Sequence, residues 1–409
     1  MVDTIDLQPL FELQTKQLAV VELARRRYLY DKINWSGRLN MITGFRGVGK
    51  TTIILQYLQK NFTGKRQSLY LSADNVLIQE KGLFQIAWDF EKMGGQWLAI
   101  DEVHKFPNWN QELKNIYDSL PGLRVVASGS SSLQVVKGQY DLSRRAVVYP
   151  LKGMSFREFL NFELNSEFPL VELKDLLTDH QNLAMKIIKQ IKDQKILPLF
   201  EKYLKAGYYP YYWDEPEQYL IKLNNAINKV LYEDIPSTQE ISRVGIRNLQ
   251  KMLYLVAHSA PYSPNVSTLA SDLQIAKDTV YDYLEYLEQA GLFKFTWQSE
   301  RPRPRIRKPE KIYLHNSNLY FALAGSRLTP EIQGTVREAF LLSQLPEGIN
   351  VSNPSTGDFL IDGRYLIEVG GKSKTRKQVK DSTDSYLAVD GIEVGTDHRI
   401  PLWLWGWFY

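Results

Sequence analysis

The sequence has 409 residues, 44% hydrophobic and 23% charged, with a net charge of +4. That is the composition of a folded chain of two or three domains, and it excludes a disordered protein or a polycation. The lack of cysteine excludes disulfides, thiolate zinc sites and cysteine nucleophiles.

Met1 to Leu10 carries Asp3 and Asp6 and lacks the basic flank and apolar stretch of a secretory leader. No apolar run approaches the roughly 20 residues needed to cross a bilayer, so a cytoplasmic chain without membrane association is expected.

Leu39 to Thr43 is short and apolar and reads as a strand. Gly44-Phe45-Arg46-Gly47-Val48-Gly49-Lys50-Thr51 follows, and Thr52 to Lys60, with Ile53, Ile54, Leu55 and Leu58, reads as a helix. Strand, glycine loop and helix in this order are the setting that the pattern GxxxxGKS/T requires. Gly44, Gly47 and Gly49 let backbone N–H groups converge on phosphate oxygens, and the helix start at Thr51 and Thr52 adds its positive dipole end. Lys50 is expected to reach the β and γ phosphates, with the Thr51 hydroxyl on magnesium. The cofactors this predicts are ATP and Mg2+.

Trp97 to Ile100 reads as a second strand and ends in Asp101-Glu102, at the strand edge where ligands bind in a doubly wound α/β sheet. Asp101 is expected to hold magnesium and Glu102 to orient the attacking water. A third strand, Leu123 to Ala127, ends in Ser128-Gly129-Ser130-Ser131-Ser132. Ser128 or Ser130 can supply the polar side chain that additional-strand ATPases place between the acidic pair and the γ-phosphate; the alternative is a plain serine-rich turn. Arg144 and Arg145 precede a fourth strand, Ala146 to Tyr149, where an arginine can reach the γ-phosphate of a neighbouring subunit.

Together GFRGVGKTT, LAIDEVHKFPNW, VVASGSSS, RRAVVYPLKGMSFREFL, FEKYLKAGYYPYYWDE and KIYLHNSNLYFAL resemble the prokaryotic AAA-type ATPases that carry a C-terminal winged helix and a restriction-endonuclease-like domain. The resemblance implies an α/β protein with an AAA+ core over 1–155, a helical lid over 156–260, a winged helix over 261–325 and an endonuclease-like domain over 326–409. It also implies a ring or partial ring of identical subunits, a hexamer among the forms expected, with Arg145 as a finger in trans. His104, two positions after the acidic pair, reads as a structural or subunit-contact residue.

In the predicted lid, Tyr208, Tyr209, Tyr211, Tyr212 and Trp213 read either as packing at a turn or as a base-stacking platform. Thr268 to Leu273 and Lys277 to Ala290 have the rhythm of a helix-turn-helix, and Val280, Leu284 and Leu287 bury one face. The other face holds Lys277, Asp278, Asp282, Glu285 and Glu288, an acidic surface that argues against major-groove insertion. Arg301, Arg303, Arg305, Arg307, Lys308 and Lys311 fall within eleven positions, and Lys372, Lys374, Arg376, Lys377 and Lys380 within nine. These basic strips are expected to lie along DNA phosphates, with a protein contact as the alternative for the first.

In the last domain Glu338, on a helix from Gly334 to Leu345, then Asp358 and Glu368 match the magnesium-holding pattern of the endonuclease-like fold. Gly370 stands where its lysine belongs, and Lys372 comes two positions late. The site therefore reads as degenerate, in a domain kept for binding DNA or as structure. Ile400 to Tyr409 reads as a buried terminal strand, with a membrane or partner contact as the alternative. The reading as a whole is an oligomeric ATPase that binds or remodels DNA, duplex or branched; the rivals are a nucleotide-dependent switch or scaffold and an ATP-gated nuclease.

Overall fold

The computed structural model describes residues 6–62, 64–130, 142–192, 194–298, 308–325, 328–375 and 384–409, and the chain divides into two compact units, Met1–Gly153 and Met154–Tyr409. Arg301, Arg303, Arg305, Arg307, Arg376, Lys377 and Lys380 lie outside the described residues.

The first unit is a parallel sheet of β1 (Leu39–Gly44), β2 (Ser68–Ser72), β3 (Trp97–Asp101), β4 (Arg124–Ser130) and β5 (Val147–Pro150) in the order β2-β3-β4-β1-β5. Its helices are α1 (Gln8–Val20), α2 (Lys50–Phe62), α3 (Val76–Lys81), α4 (Leu83–Lys92) and α5 (Trp109–Ser119). The strands β1 to β3 are buried along nearly all of their length because helices cover the sheet. Met41, Leu69, Leu98, Ile100 and Val125 are buried in one cluster with Leu10, Phe90 and Leu113 from the helices. The insertion of β4 between β1 and β3 matters most for function. It brings the carboxyl ends of three strands together beside the loop that leads into α2.

The second unit holds α6 (Phe156–Leu164), α7 (Leu173–Gln190), α8 (Ile196–Ala206), α9 (Tyr219–Lys229), α10 (Arg243–Ala257), α11 (Val266–Leu273), α12 (Lys277–Gln289), α13 (Ser317–Ala324) and α14 (Pro330–Gln344). Its mixed sheet comprises β6 (Phe293–Gln298), β7 (Lys311–Leu314), β8 (Val351–Asn353), β9 (Phe359–Ile361), β10 (Tyr365–Gly370), β11 (Ser385–Val389) and β12 (Arg399–Pro401), in the order β12-β11-β10-β9-β8-β6-β7. The antiparallel hairpin β6–β7 that follows the helix pair joins the C-terminal strands through Trp297↔Ser352 and Gln298↔Asn353.

The terminal strand expected over Ile400 to Tyr409 is corrected. Only Arg399–Pro401 is strand, and Leu402–Trp407 winds as 3-10 turns with Trp403, Trp405 and Trp407 fully buried. Pro401 has no N–H to continue a ladder, and a run without polar alternation packs on all sides; Trp407 meets Phe156 at 5.7 Å.

The tyrosine cluster is packing. Tyr208 and Tyr209 are buried, the Tyr209 ring stacks on Tyr211 at 5.7 Å, and Asn316 Nδ2 donates to the Tyr209 hydroxyl at 3.1 Å.

Candidate functional site

The glycine loop turns tightly between β1 and α2. Gly47 (φ 79°) and Gly49 (φ 98°) occupy backbone conformations that a Cβ would strain, and a Cβ on Gly44 would sit 2.3 Å from the Leu151 carbonyl oxygen. Arg27 is buried beneath the loop and donates to the carbonyls of Val48 and Lys152, which fixes the loop from outside. Lys50 opens α2 and donates from Nζ to the Gly44 and Phe45 carbonyls at 2.8 and 3.1 Å. Its ammonium thus lies across the concave side of the loop, where phosphate oxygens would replace those carbonyls. Thr51 is half-buried beside it, and Thr52 faces solvent.

Asp101 is the hub of the site. Its Oδ2 accepts from Thr51 Oγ1 at 2.6 Å and from the Tyr70 hydroxyl at 2.8 Å, and its Oδ1 accepts from Ser128 Oγ. Ser128 Oγ also accepts from the Glu102 backbone N–H at 3.1 Å. One hydroxyl on β4 therefore ties both acids at the end of β3. Hydrogen bonds to a charged acceptor contribute about 1.5–3 kcal/mol each, and Asp101 is only 4% exposed, so these donors replace its water.

Glu102 is left-handed (φ 49°, ψ 38°), which turns the chain sharply after the strand, and its Oε2 lies 3.4 Å from His104 Nε2. Burial raises the Glu102 pKa above the ordinary carboxylate range, while Lys50 pulls it down and Asp101 pushes it up. A carboxyl group tuned in that direction is suited to receive a proton or to orient water.

Of the residues expected from sequence, Gly44, Gly47, Gly49, Lys50, Thr51, Asp101, Glu102 and Ser128 come together here. Ser130 ends β4 opposite Gly44 in register, but its side chain lies outside the described residues. Arg145 pairs within its own chain, donating from Nε and Nη2 to the two Asp118 carboxylate oxygens at 2.8 and 2.9 Å.

Sequence reasoning missed Tyr70 and the contact between His104 and Glu102. Tyr70 lies on β2 two residues before Ser72, the register partner of Asp101, so only strand order places its hydroxyl there. Magnesium fits these residues: a hydroxyl and a carboxylate converge beside a phosphate-sized loop, and magnesium bound with nucleotide takes few protein ligands.

The second unit gathers Glu338, Asp358 and Glu368 as the sequence pattern suggested, with one correction. Lys374, not Lys372, meets Glu368, its Nζ lying 2.5 Å from Oε1. Lys372 is exposed and offers its carbonyl to Arg399 at 2.9 Å. Lys311 Nζ stands 3.8 Å from Glu338 and 3.9 Å from Asp358, the Tyr313 hydroxyl donates to Glu338 at 2.6 Å, and the Val369 N–H donates to Asp358 at 2.8 Å. Among the described residues no three His, Cys, Asp or Glu side chains are arranged to hold a metal ion. The cluster does not fit magnesium, since two ammonium groups already supply the positive charge.

Residues 36–160 match a family model described as an AAA domain, and residues 197–329 match one described as a domain of unknown function. An uncharacterized protein of Methanocaldococcus jannaschii is 28% identical over 415 residues, a match covering 92% of this chain and 86% of that protein.

Solved structures with some likeness include AMPPCP-bound DnaA from Aquifex aeolicus, 15% identical over 70% of this chain and 89% of that one at a TM-score of 0.24. C. elegans PCH-2 is 14% identical over 69% and 70% at a TM-score of 0.24. A DNA replication initiation factor is 14% identical over 69% and 93%, also at 0.24. At that TM-score none of them carries an argument about this chain. The chain is an α/β protein whose parallel sheet falls largely within the segment that matches the AAA domain, and among the described residues no helix is long and apolar enough to cross a membrane.

Proposed function

We propose that this chain is an AAA+ ATPase that binds ATP with magnesium at Gly44 to Thr52, assembles with copies of itself, and couples ATP turnover to binding or remodelling DNA, branched or otherwise structured. The observation that carries the ATPase reading is the holding of Asp101 by the Thr51, Tyr70 and Ser128 hydroxyls beside Lys50 and the glycine loop.

In this reading the loop N–H groups and Lys50 grip the β and γ phosphates, while Glu102 orients the water that attacks. Magnesium bound at Thr51 and Asp101 would neutralise charge on the transferring phosphoryl group. Ser128 keeps the two acids in fixed relation, so that Glu102 is positioned whenever Asp101 is. The DNA part is supported by the exposed Lys308 and Lys372 and by the resemblance in the sequence.

Phosphate release and nucleotide binding test the proposal on two variants. Lys50→Ala should lose ATP binding. Glu102→Gln should bind ATP yet release phosphate about a hundredfold more slowly or worse, the scale of a lost general base. Normal turnover in Glu102→Gln would refute the role of the acidic pair.

A further inference from the structure

The helix pair that would read DNA in a winged helix presents the wrong charge for it. Asp278, Asp282, Glu285 and Glu288 are all exposed on α12. The helix before the pair is the opposite. From Ile241 to Ser271 the sequence has no Asp or Glu, and α10 within that span carries Arg243, Arg247 and Lys251, all exposed.

These residues recur every four positions, so with Tyr254 and His258 they fall on one stripe about 80° wide and about 22 Å long at 100° and 1.5 Å per residue. Ile246, Leu249, Met252, Leu253 and Val256 bury the opposite face in the unit. The stripe therefore has a fixed orientation toward solvent.

Tyr254 is 59% exposed, and its ring lies against that of His258 at 3.9 Å, held by a 2.9 Å contact between His258 Nδ1 and the Tyr254 carbonyl. A large ring kept in solvent beside three cations is a stacking element in search of a ligand. Among the described residues no carboxylate forms an ion pair with Arg243, Arg247 or Lys251. Like charges spaced along one helix face repel one another, and an anionic partner would relieve that repulsion.

We infer that the Arg243–Arg247–Lys251 stripe of α10, with Tyr254 at its end, is a docking surface for the phosphate backbone of DNA. The spacing suits that partner: about 6 Å between successive cations spans roughly two phosphates at 3.4 Å of rise along a strand. A lipid surface fits less well, because the apolar face of α10 is spent in the core and only Val244 and Leu255 remain exposed on the helix beside Tyr254. The inference rests on the DNA reading above and names the surface on which it acts.

The test uses the full chain and a labelled duplex, with anisotropy read over a range of salt. Arg243→Glu/Arg247→Glu/Lys251→Glu should bind at least tenfold more weakly, and its log–log salt slope should fall by about 2 to 3, since each lost phosphate contact contributes about 0.9. Arg247→Ala/Lys251→Ala should lose part of both even if charge reversal impairs folding, and DNA-free phosphate release should stay at the wild-type rate in either variant. Unchanged affinity and slope in both variants, with wild-type protein binding DNA, would overturn the stripe and leave the DNA reading standing. No binding of DNA by wild type at low salt, with or without ATP, would overturn both. Stripe-dependent binding to anionic vesicles without binding to DNA would likewise overturn it.

Discussion

Replacing Tyr70 with Phe removes one hydroxyl from the site and leaves the ring in place, which makes it the cleanest probe of how Asp101 is held. Asp101 Oδ2 accepts from both Tyr70, at 2.8 Å, and Thr51, at 2.6 Å. Were the Thr51 hydroxyl to serve magnesium, Tyr70 would be the donor left on that oxygen. Burial, and then the charge of Asp101, hold the Tyr70 pKa far above its ordinary value, so the hydroxyl stays a donor at every working pH.

A hydrogen bond to a buried carboxylate contributes about 1.5–3 kcal/mol, and this one is already made without metal. Tyr70→Phe should therefore destabilise the nucleotide-free protein by about that amount, read as a lowered melting temperature, and, by freeing Asp101 from one of its two Oδ2 donors, shift the magnesium concentration for half-maximal phosphate release at saturating ATP. An unchanged magnesium dependence would refute the positioning role, and a lowered melting temperature alone would leave Tyr70 as a structural residue.

Two further outcomes are expected. If Arg145 acts across a subunit boundary, mixing Arg145→Ala with Glu102→Gln protein should restore part of the turnover that each lacks, and no rescue at any mixing ratio would confine Arg145 to its pair with Asp118. His180 on α7 is buried, neither ring nitrogen has a hydrogen-bond partner among the described residues, and burial first, then His398, lowers its pKa while Asp179 and Asp397 oppose. The folded state thus favours neutral imidazole, so its contribution to stability is fully present above the unfolded value of about 6.5 and is lost as pH falls toward the depressed folded value. Melting curves from pH 8 to pH 5 should show a fall that His180→Gln flattens; identical pH dependence in both proteins would refute this.

The nucleotide site was legible because its grammar is local. Gly47 and Gly49 are demanded by a turn of a few residues, and Lys50, Thr51, Asp101 and Glu102 sit at the ends of the elements that the apolar runs mark out. Ser128 could be nominated as a polar residue after a strand, but not its two partners, since these depend on β4 lying between β1 and β3. Tyr70 had no signal of its own, and His104 was legible as a structural or subunit-contact residue but not as a partner of Glu102. A tyrosine in an apolar strand reads as core, and His104 reaches Glu102 only because the backbone at Glu102 is left-handed, a conformation that no residue type in that stretch announces. The terminal tryptophans were legible as buried and misread as strand, because apolar runs fix burial before they fix backbone.

The endonuclease-like pattern shows why spacing along a strand is a poor guide to charge in space. After β10 ends at Gly370 the chain folds back, with the Lys374 N–H donating to the Gly371 carbonyl at 2.9 Å and Arg399 gripping the Lys374 carbonyl at 2.7 Å. The Lys374 stem then crosses Gly370 so closely that a Cβ there would lie 2.7 to 2.8 Å from its carbons. The glycine at the expected lysine position is therefore what admits a lysine from four residues further on, and a side chain at 370 would exclude it.

Lys374 and Lys311 together face three carboxylates. Burial, and then Asp358, push the Glu338 pKa up to about 7, so near neutrality that group holds a proton about half of the time. Two ammonium groups set against three carboxylates, one of them half-protonated near neutrality, leave little net charge to attract a divalent cation. The same side chains that spell a metal site in the sequence thus sit as a largely self-neutralised cluster of paired charges beside the sheet, with both lysines partly exposed.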